Sequence, residues 1–292
     1  MGNKDTLFSE KYLINCRGNL LDLSIPRVMG VINVTPDSFY HGSRLTTGEM
    51  VKQQVEKMVS EGADMIDVGG YSSRPGAEHI PEDEELGRIL PALELIRRDY
   101  PDLVISVDTF RPAVARRVVG EYGVDIINDI SAGEMGEAMF ETIAELNVPY
   151  VMMHMKGTPQ DMKEKARYDD MMKEITRYFS ARLDQLRRIG VNDIILDPGF
   201  GFGKTIDHNY QLLNRLDELK IFGLPLLVGL SRKSMIYKVL EYEPGQALNG
   251  TTVLNTLALS KGANILRVHD VREAREVITL KERMDRSSGS PV

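Results

Sequence analysis

Cysteine is nearly absent from this sequence. Its one cysteine, Cys16, can form no internal disulfide, which excludes a disulfide-stapled secreted scaffold and points to a reducing compartment. Long apolar runs are also missing. None approaches the roughly 18–20 residues that a membrane span needs. Histidine is sparse, and the five present make no His/Cys cluster with zinc spacing and no convincing Ser/His/Asp set. An excess of positive charge is lacking too. A net charge of −7 argues against nucleic acid as the main partner, because a phosphate backbone demands a basic surface. It leaves room for a small anionic substrate held by a local group of Arg and Lys. The start, Met1-Gly2-Asn3-Lys4-Asp5-Thr6, has no apolar signal segment, so the expected location is the cytoplasm, with no membrane partner. Gly2 and Thr6 fit a loose myristoylation pattern, but no basic patch follows to supply a second anchor.

What is present is the composition of a globular protein: 42% hydrophobic and 27% charged residues in a chain long enough for a sizeable core. Short apolar, β-branched runs occur at 28–34, 65–68, 103–107, 125–128, 150–153, 194–196, 226–229 and 265–268. Amphipathic stretches at helical spacing lie between them, for example at 50–61, 83–98, 167–189 and 209–220. Apolar strands alternating with helices imply a parallel sheet covered on both faces. Two architectures satisfy that pattern, a closed barrel and an open doubly wound sheet. The strand ends favour the barrel. Asn33, Asp67, Asp108, Asn128, His154, Asp197, the Ser231-Arg232-Lys233 turn, and Arg267 with His269 place polar groups on every strand, and only a barrel brings all of them to one mouth. The expected organisation is a single (β/α)8 TIM barrel over residues 27–286, with a short N-terminal extension, residues 1–26, as a candidate hairpin closing the barrel bottom. Residues 287–292 read as a frayed tail.

The chemistry is read from the same strand ends. Asp108 and Asp197 each terminate an apolar strand and so require a partner or a shifted pKa. With Asn128 they would line a mouth suited to a flat heterocycle rich in N–H donors; the bland alternative is that each bonds its own loop. Asp67 is expected to hold the loop Gly69–Gly76 through that loop's hydroxyls and amides. Arg74, Arg232, Lys233, Arg267 and His269 make a candidate oxyanion or pyrophosphate site. Lys233 beside Arg232, beyond the strand, fits a Schiff-base role poorly. Asp197-Pro198-Gly199-Phe200-Gly201-Phe202-Gly203-Lys204-Thr205 resembles a phosphate loop but has Pro198 where the first glycine should stand, so its phenylalanines are expected to stack on a ring instead. Asn33 offers a neutral oxygen to a hard cation such as Mg2+, provided that substrate phosphate oxygens complete the shell. Met153 belongs mainly to the core and can also touch a ring; His154 reads as a structural histidine.

From about Arg27 to Val277 these residues resemble the dihydropteroate synthase family. The resemblance is carried, in order, by Asn33-Val34-Thr35-Pro36-Asp37-Ser38-Phe39, Asp67-Val68-Gly69-Gly70 with Ser73-Arg74-Pro75-Gly76, Val107-Asp108-Thr109, Ile127-Asn128-Asp129-Ile130, Asp197 to Lys204, Ser231-Arg232-Lys233-Ser234 and Arg267-Val268-His269-Asp270. It implies a Mg2+-dependent condensation of 6-hydroxymethyl-7,8-dihydropterin pyrophosphate with 4-aminobenzoate, giving 7,8-dihydropteroate and pyrophosphate in folate biosynthesis. It also implies a homodimer and competition by sulfonamides. Carried over, Asp108, Asn128, Asp197 and Lys233 hold the pterin with Met153 nearby, and Asn33 binds the metal. Ser73, Arg74, Arg267 and His269 bear on the pyrophosphate. Ser73, Pro75, Phe202 and Ser234 shape the aminobenzoate pocket. Asp108, Lys233, Arg267 and His269 are the residues expected to act in catalysis. The chain departs from the family pattern at His41 and Tyr71, where many members have Asp and Glu, at Ser73 in place of Thr, and at Phe110-Arg111 before Pro112. Two other readings stay open. One is a pterin-dependent methyltransferase domain, which would not need the 231–234 and 267–269 motifs. The other is a pterin-binding paralogue without catalysis.

Overall fold

The computed structural model describes residues 12–35, 47–74, 76 and 78–287. His41 and Pro75 lie outside the described residues, as does the tail beyond Ser287. A hairpin opens the described chain, with β1 (Leu13–Cys16) antiparallel to β2 (Asn19–Asp22). Eight strands follow: β3 (Arg27–Asn33), β4 (Met65–Gly69), β5 (Val104–Asp108), β6 (Ile126–Asp129), β7 (Tyr150–Met153), β8 (Ile194–Asp197), β9 (Leu227–Val228) and β10 (Ile265–Val268). Neighbours in the sheet are parallel, in the order β8-β7-β6-β5-β4-β3-β10-β9. A parallel bridge from Leu196 to Leu226 joins β8 to β9 and closes the barrel. All eight expected strands are present. The ninth strand is shorter than the run 226–229, because Gly229 already leads into the turn that carries Lys233.

Helices follow the strands around the outside: α1 (Thr47–Ser60), α2 (Glu82–Asp99), α3 (Pro112–Tyr122), α4 (Met139–Leu146), α5 (Met171–Arg188), α6 (Ile206–Asn214), α7 (Ser234–Tyr237), α8 (Leu248–Ser260) and α9 (Val271–Ser287). The stretch 167–189 becomes helical only at Met171, because Asp170 caps it by accepting from the Lys173 N–H. The stretch 209–220 divides. Helix α6 ends at Arg215, whose N–H is shared among the carbonyls of Gln211, Leu212 and Leu213, and a 3-10 turn runs on from Leu216 to Phe222. Leu216 and Leu219 are buried one such turn apart, which suits a three-residue period.

Side chains alternate in and out along each strand. Outward residues such as Val28, Ile66, Ile105, Tyr150 and Leu196 join the core beneath the helices. The lowest inward residues, Met29, Met65, Ile126, Val151, Ile195, Leu227 and Ile265, pack with Ile14, Cys16 and Leu23 of the hairpin segment. The hairpin therefore plugs the barrel at its N-terminal end. Asp125 anchors it there, accepting from Arg17 Nε at 2.6 Å and from Arg97 Nη2 at 3.0 Å. Cys16 is buried in this plug. Two residues further up, the inward layer turns polar on five of the eight strands, at Asp67, Ser106, Asn128, Asp197 and Arg267, with Val31, Met153 and Gly229 on the other three. Two more bring Asn33, Gly69, Asp108 and His269 to the mouth.

Candidate active site

Arg267 organises the polar layer. Its Nε donates to Asp67 Oδ2 at 2.7 Å, and its Nη2 donates to Asp108 Oδ2 at 3.0 Å. Asn128 Nδ2 donates to the same Asp67 oxygen at 3.0 Å. Asp67 thus points into the barrel and orients Arg267 and Asn128. This corrects the expectation that it holds the loop Gly69–Gly76: at position 67 the strand alternation sends the side chain inward, two residues below the loop. Burial raises the Asp108 carboxyl above the ordinary range; Arg267 pulls it down and Asp67 pushes it further up.

Asp197 ends β8, and its Oδ1 accepts from the Gly199 N–H at 2.7 Å, so the loop-bonding reading of this residue is partly realised. Burial raises its carboxyl also, against the pull of Lys233. Lys233 reaches back over Gly201 and donates to the Phe200 carbonyl. Burial of the amine lowers Lys233 to about 8, with Asp197 pulling it back up. The Lys233 ammonium sits 4.9 Å from the Phe202 ring centroid. Phe202 is half-buried and faces the mouth, whereas Phe200 is fully buried in the core. Only one of the two loop phenylalanines can therefore stack on a ligand.

Lys204 has no phosphate-binding geometry. It is buried, and its Nζ donates to the carbonyls of Gly199 at 2.9 Å and Phe202 at 3.1 Å and lies 3.0 Å from His154 Nδ1. The ammonium stitches the glycine loop from below, while Lys233 holds it from the mouth. The loop's conformation requires glycine at 199: φ is +71°, and a Cβ would meet the His154 carbonyl at 2.0 Å. Burial and the Lys204 charge keep His154 neutral, so it is a structural partner, as expected. Thr205 caps α6 by accepting from the His208 N–H at 3.1 Å.

At the rim the cations are sorted. Arg232 pairs with Asp270 through Nε and Nη2, at 2.9 and 2.8 Å, and its Nη1 donates to the Gly245 carbonyl at 3.0 Å. Its φ of +53° turns it away from the mouth, which removes it from the candidate oxyanion group. His269 lies 3.0 Å from Ser231 Oγ through Nδ1. Desolvation by its crowded neighbours, then the Arg267 charge, lowers the imidazole well below its ordinary range, although part of the residue still reaches solvent. It therefore offers an anion a hydrogen bond rather than a charge. Arg74 is exposed, and its field reaches His269. Ser73 and Ser234 are half-buried, the latter as the first residue of α7.

Asn33 ends β3 beside Gly69 and, one strand further, Asp108. Its Oδ1 lies 3.5 Å from where a Gly69 Cβ would stand, with the Asp108 side chain at the same distance, so the three residues meet at one corner of the mouth. Among the described residues no group of three or more His, Cys, Asp or Glu could hold a cation. One neutral oxygen at that corner fits Mg2+ bound chiefly through substrate oxygens, not a cage made by the protein.

Residues missed in the sequence lie one layer down and to one side. Ser106 shares the inward layer with Asp67, its neighbour in register. Glu85 and Arg111 form a buried ion pair between α2 and the end of β5. The signals were there: Ser106 is two residues before Asp108, and Glu85 falls on the apolar side of α2.

Fold and site together define a (β/α)8-barrel enzyme with carboxylates deep in its mouth and cationic or hydrogen-bonding groups at its rim. The comparisons with known proteins agree. The chain matches the family model for pterin binding enzymes over residues 29–269. The dihydropteroate synthase of Escherichia coli K12 is 44% identical over 269 residues, covering 91% of this chain and 94% of that protein. A crystal structure of Yersinia pestis dihydropteroate synthase in complex with a sulfonamide drug superposes with a TM-score of 0.88 at 42% identity, covering 94% of this chain and 99% of that one. The Xanthomonas albilineans enzyme with 4-aminobenzoic acid gives 0.88 at 39% identity, over 94% and 98%. The chain belongs to the pterin-binding enzyme family.

Proposed function

We infer that the chain catalyses the dihydropteroate synthase reaction, joining 6-hydroxymethyl-7,8-dihydropterin pyrophosphate to 4-aminobenzoate with release of pyrophosphate. The observation that carries this reading is the sorted mouth: Asn128 and Asp197, with Asp108 one layer above, present acceptors inside the barrel beside Arg267 and Lys233, while His269 and Arg74 stand at the rim. The deep acceptors suit the N–H groups of a pterin, with Lys233 bonding a ring acceptor and Met153 and Phe202 flanking the ring. The rim suits the pyrophosphate, received by Ser73, Arg74 and His269, with Arg267 bearing on it from the layer beneath. Ser73, Pro75, Phe202 and Ser234 are proposed to shape the aminobenzoate site. Asn33 would hold Mg2+, which supplies charge neutralisation to the leaving pyrophosphate.

In this arrangement the bond from the pterin methylene to the pyrophosphate oxygen breaks, and the aminobenzoate nitrogen forms the new bond and loses one proton. The electron-rich ring supports positive charge at the methylene, so a dissociative displacement needs no strong base; the rim stabilises the departing anion. Both motifs that a methyltransferase would not need are built into the mouth, Lys233 over the glycine loop and Arg267 across two carboxylates.

We further propose a homodimer through the outer face of α8, which carries no charged residue and exposes Val253 and Leu257; sedimentation velocity checks it. A cytoplasmic location is proposed from the single cysteine and from the lack, among the described residues, of any helix long and apolar enough to cross a membrane. The function is tested by pyrophosphate release with Mg2+ and each substrate omitted in turn. Release should require both substrates, and sulfonamides should inhibit in competition with aminobenzoate. Tight pterin binding without release would instead indicate a non-catalytic paralogue and make His41→Asp the next variant to assay.

A further inference from the structure

The segment after β4 leaves the barrel at Gly70, carries Ser73 and Arg74, and returns along Ile80 to α2. One buried side chain from a different strand end meets both its entry and its exit. Arg111, only 8% exposed, follows β5. One guanidinium arm donates to Glu85 Oε2, on a fully buried carboxylate of α2. The other donates to the Ile80 carbonyl and lies 3.4 Å from His79 Nε2. The guanidinium carbon is 5.6 Å from the Tyr71 ring centroid and 5.1 Å from that of Phe110. Tyr71 packs edge-on against Phe110, with centroids 5.1 Å apart at 88°. Its hydroxyl lies 3.3 Å from His79 Nδ1 and accepts from Gln160 Nε2 at 3.1 Å.

A cation needed only to neutralise Glu85 would use one arm. Here the second arm and the ring-facing surface are spent on the two ends of the loop, a combination that a planar five-donor fork can supply and an ammonium cannot. Stacking over aromatic rings adds attraction on the entry side. Holding both ends shortens the free span, so residues between them sample fewer conformations.

We propose that Arg111 is a positioning residue for the condensation, clamping Tyr71 at the entry and Ile80 at the exit so that Ser73 and Arg74 are held over the barrel mouth. The proposal rests on the functional reading above, because the loop matters only if it meets aminobenzoate and pyrophosphate.

Steady-state kinetics of the full chain test it, with both substrates varied and thermal unfolding measured in parallel. Arg111→Met should lose roughly ten- to hundredfold in kcat/KM for aminobenzoate, the scale set by misplacing a reactant about an ångström. Affinity for 6-hydroxymethyl-7,8-dihydropterin, which lacks the pyrophosphate, should stay within about twofold by calorimetry, since that ligand needs only the deep acceptors. Arg111→Lys should recover thermal stability by keeping a charge beside Glu85 but should not recover the aminobenzoate KM. Tyr71→Leu keeps an apolar side chain but loses the ring that Arg111 faces as well as the hydroxyl bonds; it should raise that KM several-fold, and it carries the test if Arg111→Met does not fold. Two results overturn the proposal: activity in Arg111→Lys that returns in step with stability, or an unchanged aminobenzoate KM in Tyr71→Leu. A wild type without two-substrate turnover would overturn the functional reading and this inference with it; a wild type that turns over beside variants with normal KM overturns the positioning role alone.

Discussion

Removing the Arg267 guanidinium alone should destabilise the protein more than removing it together with the Asp67 charge. In Arg267→Met, Asp67 keeps only the Asn128 amide, and its other oxygen, Oδ1, is already buried without a hydrogen bond among the described residues. Two unit charges about 4 Å apart at an effective dielectric near 20 attract by about 4 kcal/mol. Measured losses for breaking one side of a buried pair run to about 3–5 kcal/mol. The lower end applies here, about 3 kcal/mol, because the mouth is open to water: Arg267 is 22% exposed and Asp108 14%, while Asp67 is 0%. Adding Asp67→Asn to Arg267→Met removes the orphaned charge and should restore about 1–2 kcal/mol. Equilibrium urea unfolding of the wild type, both single variants and the double variant gives the cycle. A loss below about 1 kcal/mol in Arg267→Met, or a double variant as unstable as the sum of the singles, would refute the view that Asp67 exists to hold Arg267. The readout is stability, so it stands whether or not the functional reading does.

Other outcomes follow from the same geometry. Lys233→Ala and Asp197→Asn should each abolish turnover while circular dichroism stays that of the wild type; wild-type rates in either would sink the proposed pterin contacts. Burial lowers Lys233 to about 8, so its cationic form, present below that value, is lost as pH rises through it. The kcat/KM for the pterin substrate should therefore fall above roughly pH 8. In Lys233→Arg any remaining activity should show no such limb, because a guanidinium does not titrate there; a limb that persists would assign it to another group.

The fold was legible because barrel strands are buried on both faces and so read as short apolar runs, all of which became strands. The plug at the barrel bottom was legible only as a candidate, since a four-residue hairpin strand such as Leu13–Cys16 carries little pattern of its own. The site was legible in its parts and less so in its pairings. Arg232 and Arg267 both stand just beyond apolar runs. Nothing in the chain order tells that Arg232 adopts a positive φ and folds against Asp270 while Arg267 lies inside the barrel. Asp67 was misread because its nearness to a glycine loop outweighed its parity. Counting in twos from Met65 puts it inward, on the level of Arg267 with only β3 between their strands. Phe200 and Phe202 show the same lesson in a loop, where neighbouring aromatics part, one to the core and one to the mouth.

Electrostatics in the mouth also dictates how a substrate must lie. Three carboxylates, Asp67, Asp108 and Asp197, face two cations, Arg267 and Lys233, and Arg267 is engaged by two of the three carboxylates. His269 adds no charge, because its surroundings keep it neutral at pH 7. An anion driven to the barrel floor would meet carboxyl oxygens and cations already engaged, Arg267 with Asp67 and Asp108 and Lys233 with the Phe200 carbonyl, whereas a ring bearing several N–H donors would satisfy those oxygens. At the rim the balance reverses. Arg74 is exposed there, and a neutral His269 can still donate one hydrogen bond. A molecule with a donor-rich heterocycle at one end and a pyrophosphate at the other therefore has one favourable orientation in this mouth. That orientation sets the breaking bond between the two regions, beneath the loop that Arg111 clamps.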